Sequence, residues 1–147
     1  MSSMTFSHVA ICVSDIEHST RFYTQALGFV FHHSFVAAAP FDTLLELDCA
    51  RIRIAFLHRP GVPEAPMIEL FSPQDPGVTG ATQRRAMNHR GLTHLCLIYD
   101  DLTEVLARVI EHGGIVFPQT KVETVRGEIL FCADPDGIRI ELWRRIG

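Results

Sequence analysis

The chain has 147 residues, 47% of them hydrophobic and 20% charged, with a formal net charge of −4. That composition builds a core large enough for one compact domain or two fused small modules. An acidic balance without a Lys/Arg run excludes a nucleic-acid face. Apolar stretches no longer than a strand exclude a membrane-spanning helix. The N-terminus MSSMTFSHVAI lacks the basic region and apolar core of a secretory signal, so a cytoplasmic location is expected.

In chain order, residues 5–13 alternate and are rich in Val and Ile, which predicts a strand. Ser14 or Asp15 caps a helix running to about Leu27, with Ile16, Phe22, Tyr23 and Leu27 as its buried stripe. Gly28 supplies the left-handed stop. A strand is expected near 29–37, then a short helix in PFDTLLEL with Phe41, Leu44, Leu45 and Asp48 at its turns. Strands 51–58 and 67–73 follow, joined by the loop RPGVPEAP. Residues 74–91 read as a linker with room for a short helix. A strand over 92–99 and a helix over about 101–112, stopped at Gly113-Gly114, open the second half. Strands near 115–122, 128–133 and 138–144 close it, the last two joined by the Asp134-Pro-Asp-Gly137 turn.

The two halves match at a shift of 86 residues. His8 falls on His94, Asp15 on Asp101, Ile16 on Leu102, Gly28 on Gly114, Val30 on Val116 and Phe31 on Phe117. The expected fold class is therefore α+β: two tandem βαβββ modules forming one cupped mixed sheet within a single domain over 1–147. Module one covers about 5–73, the linker 74–91, and module two about 92–145.

Alternation along a strand sends neighbouring side chains to opposite faces. In the first strand Val9, Ile11 and Val13 face the helix, so His8, Ala10 and Cys12 face away. In MIELFSP, Ile68 and Leu70 face the helix, so Glu69 and Phe71 face away. RIELWRR repeats the pattern, with Glu141 and Trp143 opposite Ile140 and Leu142. His94, Cys96 and Ile98 likewise oppose Leu95 and Leu97. A carboxylate on a sheet interior is paired or bound to metal, because burying it alone is costly. If the modules meet about a pseudo-twofold axis, His8, Glu69, His94 and Glu141 converge as a set suited to Zn, Ni, Co, Fe or Mn, with places left for water or substrate.

The remaining candidates read more simply. Cys12, Cys49, Cys96 and Cys132 form no C-x-x-C pair and are expected to be small core residues. Eight histidines is a high count and points to metal or proton chemistry, but His18, His112, His58 and His89 read as surface residues, and only one of His32 and His33 can line the cup. Asp100-Asp101 reads as a helix cap and Arg84-Arg85 as a solvated linker face. Lys121 is the only lysine, which leaves Schiff-base chemistry a single candidate. The expected cup lining is Ala10, Cys12, Ala55, Leu57, Phe71, Cys96, Ile98, Leu130, Cys132 and Trp143. Arg53 and Arg139 are the charged groups assigned to that face. Either could grip a substrate carboxylate or phosphate, and Arg139 could equally orient Glu141 or end its strand.

On these residues the chain resembles the vicinal oxygen chelate superfamily, which includes glyoxalase I, methylmalonyl-CoA epimerase, extradiol dioxygenases and bleomycin-resistance proteins. The resemblance covers residues 5–145. It is carried by His8 with VSDIEHSTRFYTQALGF, Glu69 in MIELFSP, His94 in GLTHLCLIYDDL and Glu141 in DPDGIRIELW. It implies one divalent metal ion at His8, Glu69, His94 and Glu141, a small-molecule substrate bound through two neighbouring oxygens, and a homodimer. The implied reaction is a lyase or isomerase step through a metal-stabilised enolate or enediolate, with Glu69 or Glu141 moving the proton. Arg53, Arg139, Phe71, Trp143, Cys12 and Ile98 are the expected substrate contacts. Glyoxalase I enzymes often carry arginine where Cys12 stands, and the epimerases glutamine where Glu69 stands, so the apolar cup points to a less polar substrate. Two rival readings are an iron(II) extradiol dioxygenase and a protein that binds an antibiotic or metabolite without turning it over.

Overall fold

The computed structural model describes residues 2–48, 51–80 and 85–146, so Cys49 and Arg84 lie outside the described residues. The chain divides into two compact units, Met1–Gly80 and Ala81–Gly147. The first contains β1 (His8–Cys12), α1 (Ile16–Arg21) continued by a π-helical turn (Phe22–Ala26), β2 (Val30–Ala37), α2 (Phe41–Leu44), β3 (Arg51–His58) and β4 (Met67–Gln74). The second contains β5 (Leu95–Tyr99), α3 (Thr103–Glu111), β6 (Ile115–Thr124), β7 (Gly127–Ala133) and β8 (Arg139–Arg145). Each unit forms its own four-stranded sheet, in the orders β1-β4-β3-β2 and β5-β8-β7-β6. Both sheets are mixed: β1 runs parallel to β4 and β5 parallel to β8, while the other pairings are antiparallel. The architecture is thus the expected α+β one, with one mixed four-stranded sheet from each module. No helix stands in 75–80 or 85–91, where a short one had room.

Helix starts follow the local chemistry. The Asp15 carboxylate accepts from the His18 backbone N–H at 2.9 Å, and the Asp101 carboxylate accepts from the Thr103 N–H at 3.0 Å. Each satisfies a donor that the first helical turn leaves open. The expected stripe is in place: Ile16, Phe22, Tyr23 and Leu27 are buried. In the second unit, Leu102, Val105 and Val109 are buried in the same way.

Helix ends show why one fixed offset does not hold. Gly28 and Gly113 both take φ 86°, so Gly113, rather than Gly114, is the counterpart of Gly28. After α3, Gly114 N bonds Val109 O and Gly113 N bonds Ile110 O. In the first unit, Phe29 N bonds Tyr23 O and Gly28 N bonds Thr24 O. Each of those bonds spans one residue more. The π turn over Phe22–Ala26 absorbs that insertion.

The last turn before β8 is held by one side chain. Asp134 is buried at 1% exposure, and its carboxylate accepts from the backbone N–H groups of Asp136 and Ile138 at 2.9 and 2.8 Å. Gly137 completes the turn at φ 86°. Asp134→Ala leaves two part-buried donors without their acceptor and is expected to cost about 2 kcal/mol. A denaturant titration checks this, with Asp134→Asn expected to recover part of the loss.

Candidate functional site

In β1 the exposed residues are His8, Ala10 and Cys12, while Ile11 and the following Val13 are buried. Parallel pairing sets Ala10 beside Glu69 and Cys12 beside Phe71. Paired residues share a face, so β1 and β4 present His8 and Glu69 together. The His8 Nε2 lies 2.9 Å from Glu69 Oε2. The ring's other nitrogen, Nδ1, lies 2.9 Å from the Ser7 hydroxyl. The Phe56 ring meets the imidazole edge-on, centroids 5.3 Å apart at 87°, and His33 stacks on the same Phe56 at 4.9 Å. Of His32 and His33, it is thus His33 that joins this face. The Glu69 side chain is only 12% exposed; burial raises its pKa above the ordinary value, with the His8 charge opposing.

The second unit repeats the arrangement. His94 Nε2 lies 3.3 Å from Glu141 Oε2, and His94 Nδ1 lies 2.9 Å from the Thr93 hydroxyl. Phe131 meets the His94 ring edge-on at 5.1 Å and 77°. One addition is specific to this copy: the Cys96 thiol donates to Glu141 Oε1 at 3.3 Å. Burial, and then the neighbouring carboxylate, push that thiol up to about 11. Neither the aromatic partners nor the hydroxyls were singled out from sequence. Ser7 and Thr93 are 86 residues apart, so the repeat carried a signal for them; Phe56 and Phe131 are 75 apart and escape that offset.

The inner faces of β3 and β7 are the reverse of those expected. Arg53 lies on the opposite face of its sheet, where its guanidinium pairs with Glu17 of α1, which raises the Arg53 pKa and lowers that of Glu17. Register explains this: Phe56 stands across from Glu69, whereas Ala55 stands across from Leu70 and Leu57 across from Ile68. Ile52, Ile54 and Phe56 therefore share the His8 face, and Ala55 and Leu57 belong to the helix side. In β7, Phe131 stands across from Glu141, and Leu130 and Cys132 stand across from Leu142 and Ile140. Leu130 and Cys132 are accordingly buried on the helix side, and Ile129 and Phe131 take the places expected for them. A cavity of about 380 Å³ also lies on the helix side of the first unit, between Ile16, Arg21, Phe31, Val36 and Ala55, away from His8 and Glu69.

The other expected contacts lie on the His/Glu faces. Phe71 is half-buried beside Cys12. Ile98, 51% exposed, stands across from Trp143. The Trp143 indole donates to the Arg126 carbonyl at 3.3 Å. Arg139 is 7% exposed; it donates to the Arg85 carbonyl at 2.6 Å and sits over the Phe131 ring at 5.6 Å. That geometry ties a backbone segment to β8. Arg85, in turn, donates to the Leu92 carbonyl.

Each unit supplies one imidazole nitrogen and one carboxylate on a partly open sheet face, a donor set that suits borderline divalent ions. Among the described residues no group of three or more His, Cys, Asp or Glu side chains is arranged to hold a metal ion. The donors thus fit such an ion in type, as two pairs of two.

Residues 5–142 match the family model for the Glyoxalase/Bleomycin resistance protein/Dioxygenase superfamily, and the chain belongs to that superfamily. No curated protein matches it. Among solved structures, a glyoxalase family protein from Bacillus cereus superposes with a TM-score of 0.86 at 17% identity, covering 100% of this chain and 97% of its own. The trypanothione-dependent glyoxalase I of Leishmania major is similar at 25% identity and a TM-score of 0.63, over 96% of this chain and 86% of its own. Glyoxalase I from Zea mays matches at 20% identity and a TM-score of 0.63, over 97% of this chain and 45% of its own. No helix among the described residues is long and apolar enough to cross a membrane.

Burial raises the Glu69 pKa above its ordinary 4.5. The folded chain therefore keeps a proton there that the unfolded chain has released, and stability falls as pH rises through that window. Glu69→Gln removes the titration. In metal-free protein the variant's Tm should gain on wild type as pH rises from 4.5, then level off once the carboxylate is ionised in both states. Melting curves across that range check this; a flat or narrowing difference would count against a buried carboxylate.

Proposed function

We propose that the protein is a divalent-metal-dependent lyase or isomerase, with His8, Glu69, His94 and Glu141 holding the ion. The observation that carries this reading is the recurrence, in both units, of a His–Glu pair on the sheet face turned away from the helix. A solitary strand histidine or glutamate has ordinary structural explanations; two pairs in the same register, each with a hydroxyl behind the ring, do not share one. Zn, Ni, Co, Fe or Mn bound there would polarise a substrate carbonyl. The chain's own part is to hold and move a proton. A carboxylate oxygen of Glu69 or Glu141 takes the proton from the carbon beside that carbonyl and returns it. The His8 and His94 rings present Nε2 while their Nδ1 atoms stay engaged. Cys12 and Phe71 in one unit, and Ile98 and Trp143 in the other, are apolar or aromatic contacts, which favours a substrate less polar than a glutathione or CoA adduct. Arg53 drops out of the substrate contacts because Glu17 holds it on the other face. Arg139, engaged with Arg85, acts on the shape of this region. The relatives named glyoxalase I favour this chemistry over ring cleavage, and Glu69 adds a carboxylate beyond the two-histidine, one-carboxylate set of oxygen-activating iron sites. We place the enzyme in the cytoplasm as a homodimer.

Purified protein is expected to carry stoichiometric divalent metal and to lose melting temperature when chelator is added. His94→Ala or Glu141→Ala should weaken metal binding by more than about 100-fold, beyond the range that outer contacts command. Solvent deuterium should exchange into a 2-oxo or thioester substrate. A protein that takes up no metal and is indifferent to chelator would be a binding protein instead, and catechol-dependent oxygen uptake with iron(II) would make it a dioxygenase.

A further inference from the structure

The rings of His8 and His94 are each held at both ends. In both, Nε2 faces a glutamate, at 2.9 and 3.3 Å. In both, Nδ1 faces the hydroxyl of the preceding residue at 2.9 Å, Ser7 in one unit and Thr93 in the other. The two hydroxyls belong to different residue types yet occupy the same place. An imidazole can donate from only one nitrogen when neutral, whereas a hydroxyl can donate or accept. With Nε2–H donating to the carboxylate, Nδ1 is bare and accepts the hydroxyl proton. For Nε2 to offer its lone pair to an ion, the ring proton must sit on Nδ1, and the hydroxyl must turn and accept it. A carbonyl behind the ring would serve only the second state, since it has no proton to give. A Ser or Thr hydroxyl serves both tautomers and keeps the ring in place.

We infer that Ser7 and Thr93 are positioning residues for the two ligand histidines, two-way partners that keep each ring oriented while its proton changes nitrogen. The inference rests on the metal reading above, and two measurements keep them separable. The first needs no metal: carbon-13 relaxation at the ring Cε1–H of His8 and His94. Ser7→Ala should loosen the His8 ring alone and Thr93→Ala the His94 ring alone, while Ser7→Thr and Thr93→Ser, which keep the hydroxyl, leave both rings as in wild type. The second is zinc affinity by competition with a chromogenic chelator. The double alanine variant should bind zinc about tenfold more weakly, the scale on which partners behind a ligand act, with the hydroxyl-preserving pair within about twofold of wild type. Rings that relax identically in alanine variants and wild type would overturn the inference, whatever the metal result. Loosened rings with zinc affinity unchanged would overturn the two-way role. Wild-type protein that binds no zinc or other divalent ion would sink the metal reading, and with it the proton exchange, while the relaxation data still decide the positioning.

Discussion

The chemistry of this chain depends on the two-residue period of a β-strand. Once Val9, Ile11 and Val13, or Ile68 and Leu70, are committed to a helix, the residues between them have one other place to go. His8, Glu69, His94 and Glu141 reach their faces by that constraint, without any local preference of their own. The hydrophobic contribution of the apolar partners, roughly 1.5–3 kcal/mol for each fully buried Leu or Ile, far exceeds what a one-residue slip could recover by rearranging the polar face. The His–Glu pairs are therefore held by the stability of the opposite side of the sheet.

This also explains what was legible beforehand. In β1, β4 and β8 a histidine or a glutamate alternates with Val, Ile or Leu, and His94 does the same just before β5, so their phase is written in the residues. The third strand of the first unit, RIRIAFLH, is different. Ile52, Ile54, Ala55 and Leu57 are all buried, and a strand buried on both faces has no amphipathic phase. Assigning Ala55 and Leu57 to the open face carried Arg53 with them, and only the register through Phe56 and Glu69 reveals the error. The same holds for Leu130 and Cys132. The loops between strands differ in length too, so the two phenylalanines that brace the histidines, Phe56 and Phe131, sit 75 residues apart rather than 86.

The π turn accounts for the rest of the broken symmetry. A duplicated segment keeps its register only while neither copy gains a residue. Here the extra residue is absorbed inside the first helix, between a strand and a glycine that both stay in position. Ser7 and Thr93, His8 and His94, and Asp15 and Asp101 lie before that turn and keep their spacing; Gly28 and Gly113 lie after it and do not.

The pairing of Ala10 with Glu69, set against that of Cys96 with Glu141, makes the two carboxylates unequal in a way that concerns entropy. Glu141 has one oxygen against His94 and the other against a thiol, so much of its rotational freedom is gone before any ligand arrives. Glu69 faces the methyl of Ala10 where the thiol would be, and it retains freedom still to be lost. A glutamate gives up as much as about 1.5–2 kcal/mol when its rotamers are frozen. Copies of one motif thus meet an incoming ligand with different ordering costs, and a single methyl-to-thiol difference on a neighbouring strand sets which side chain is already in place.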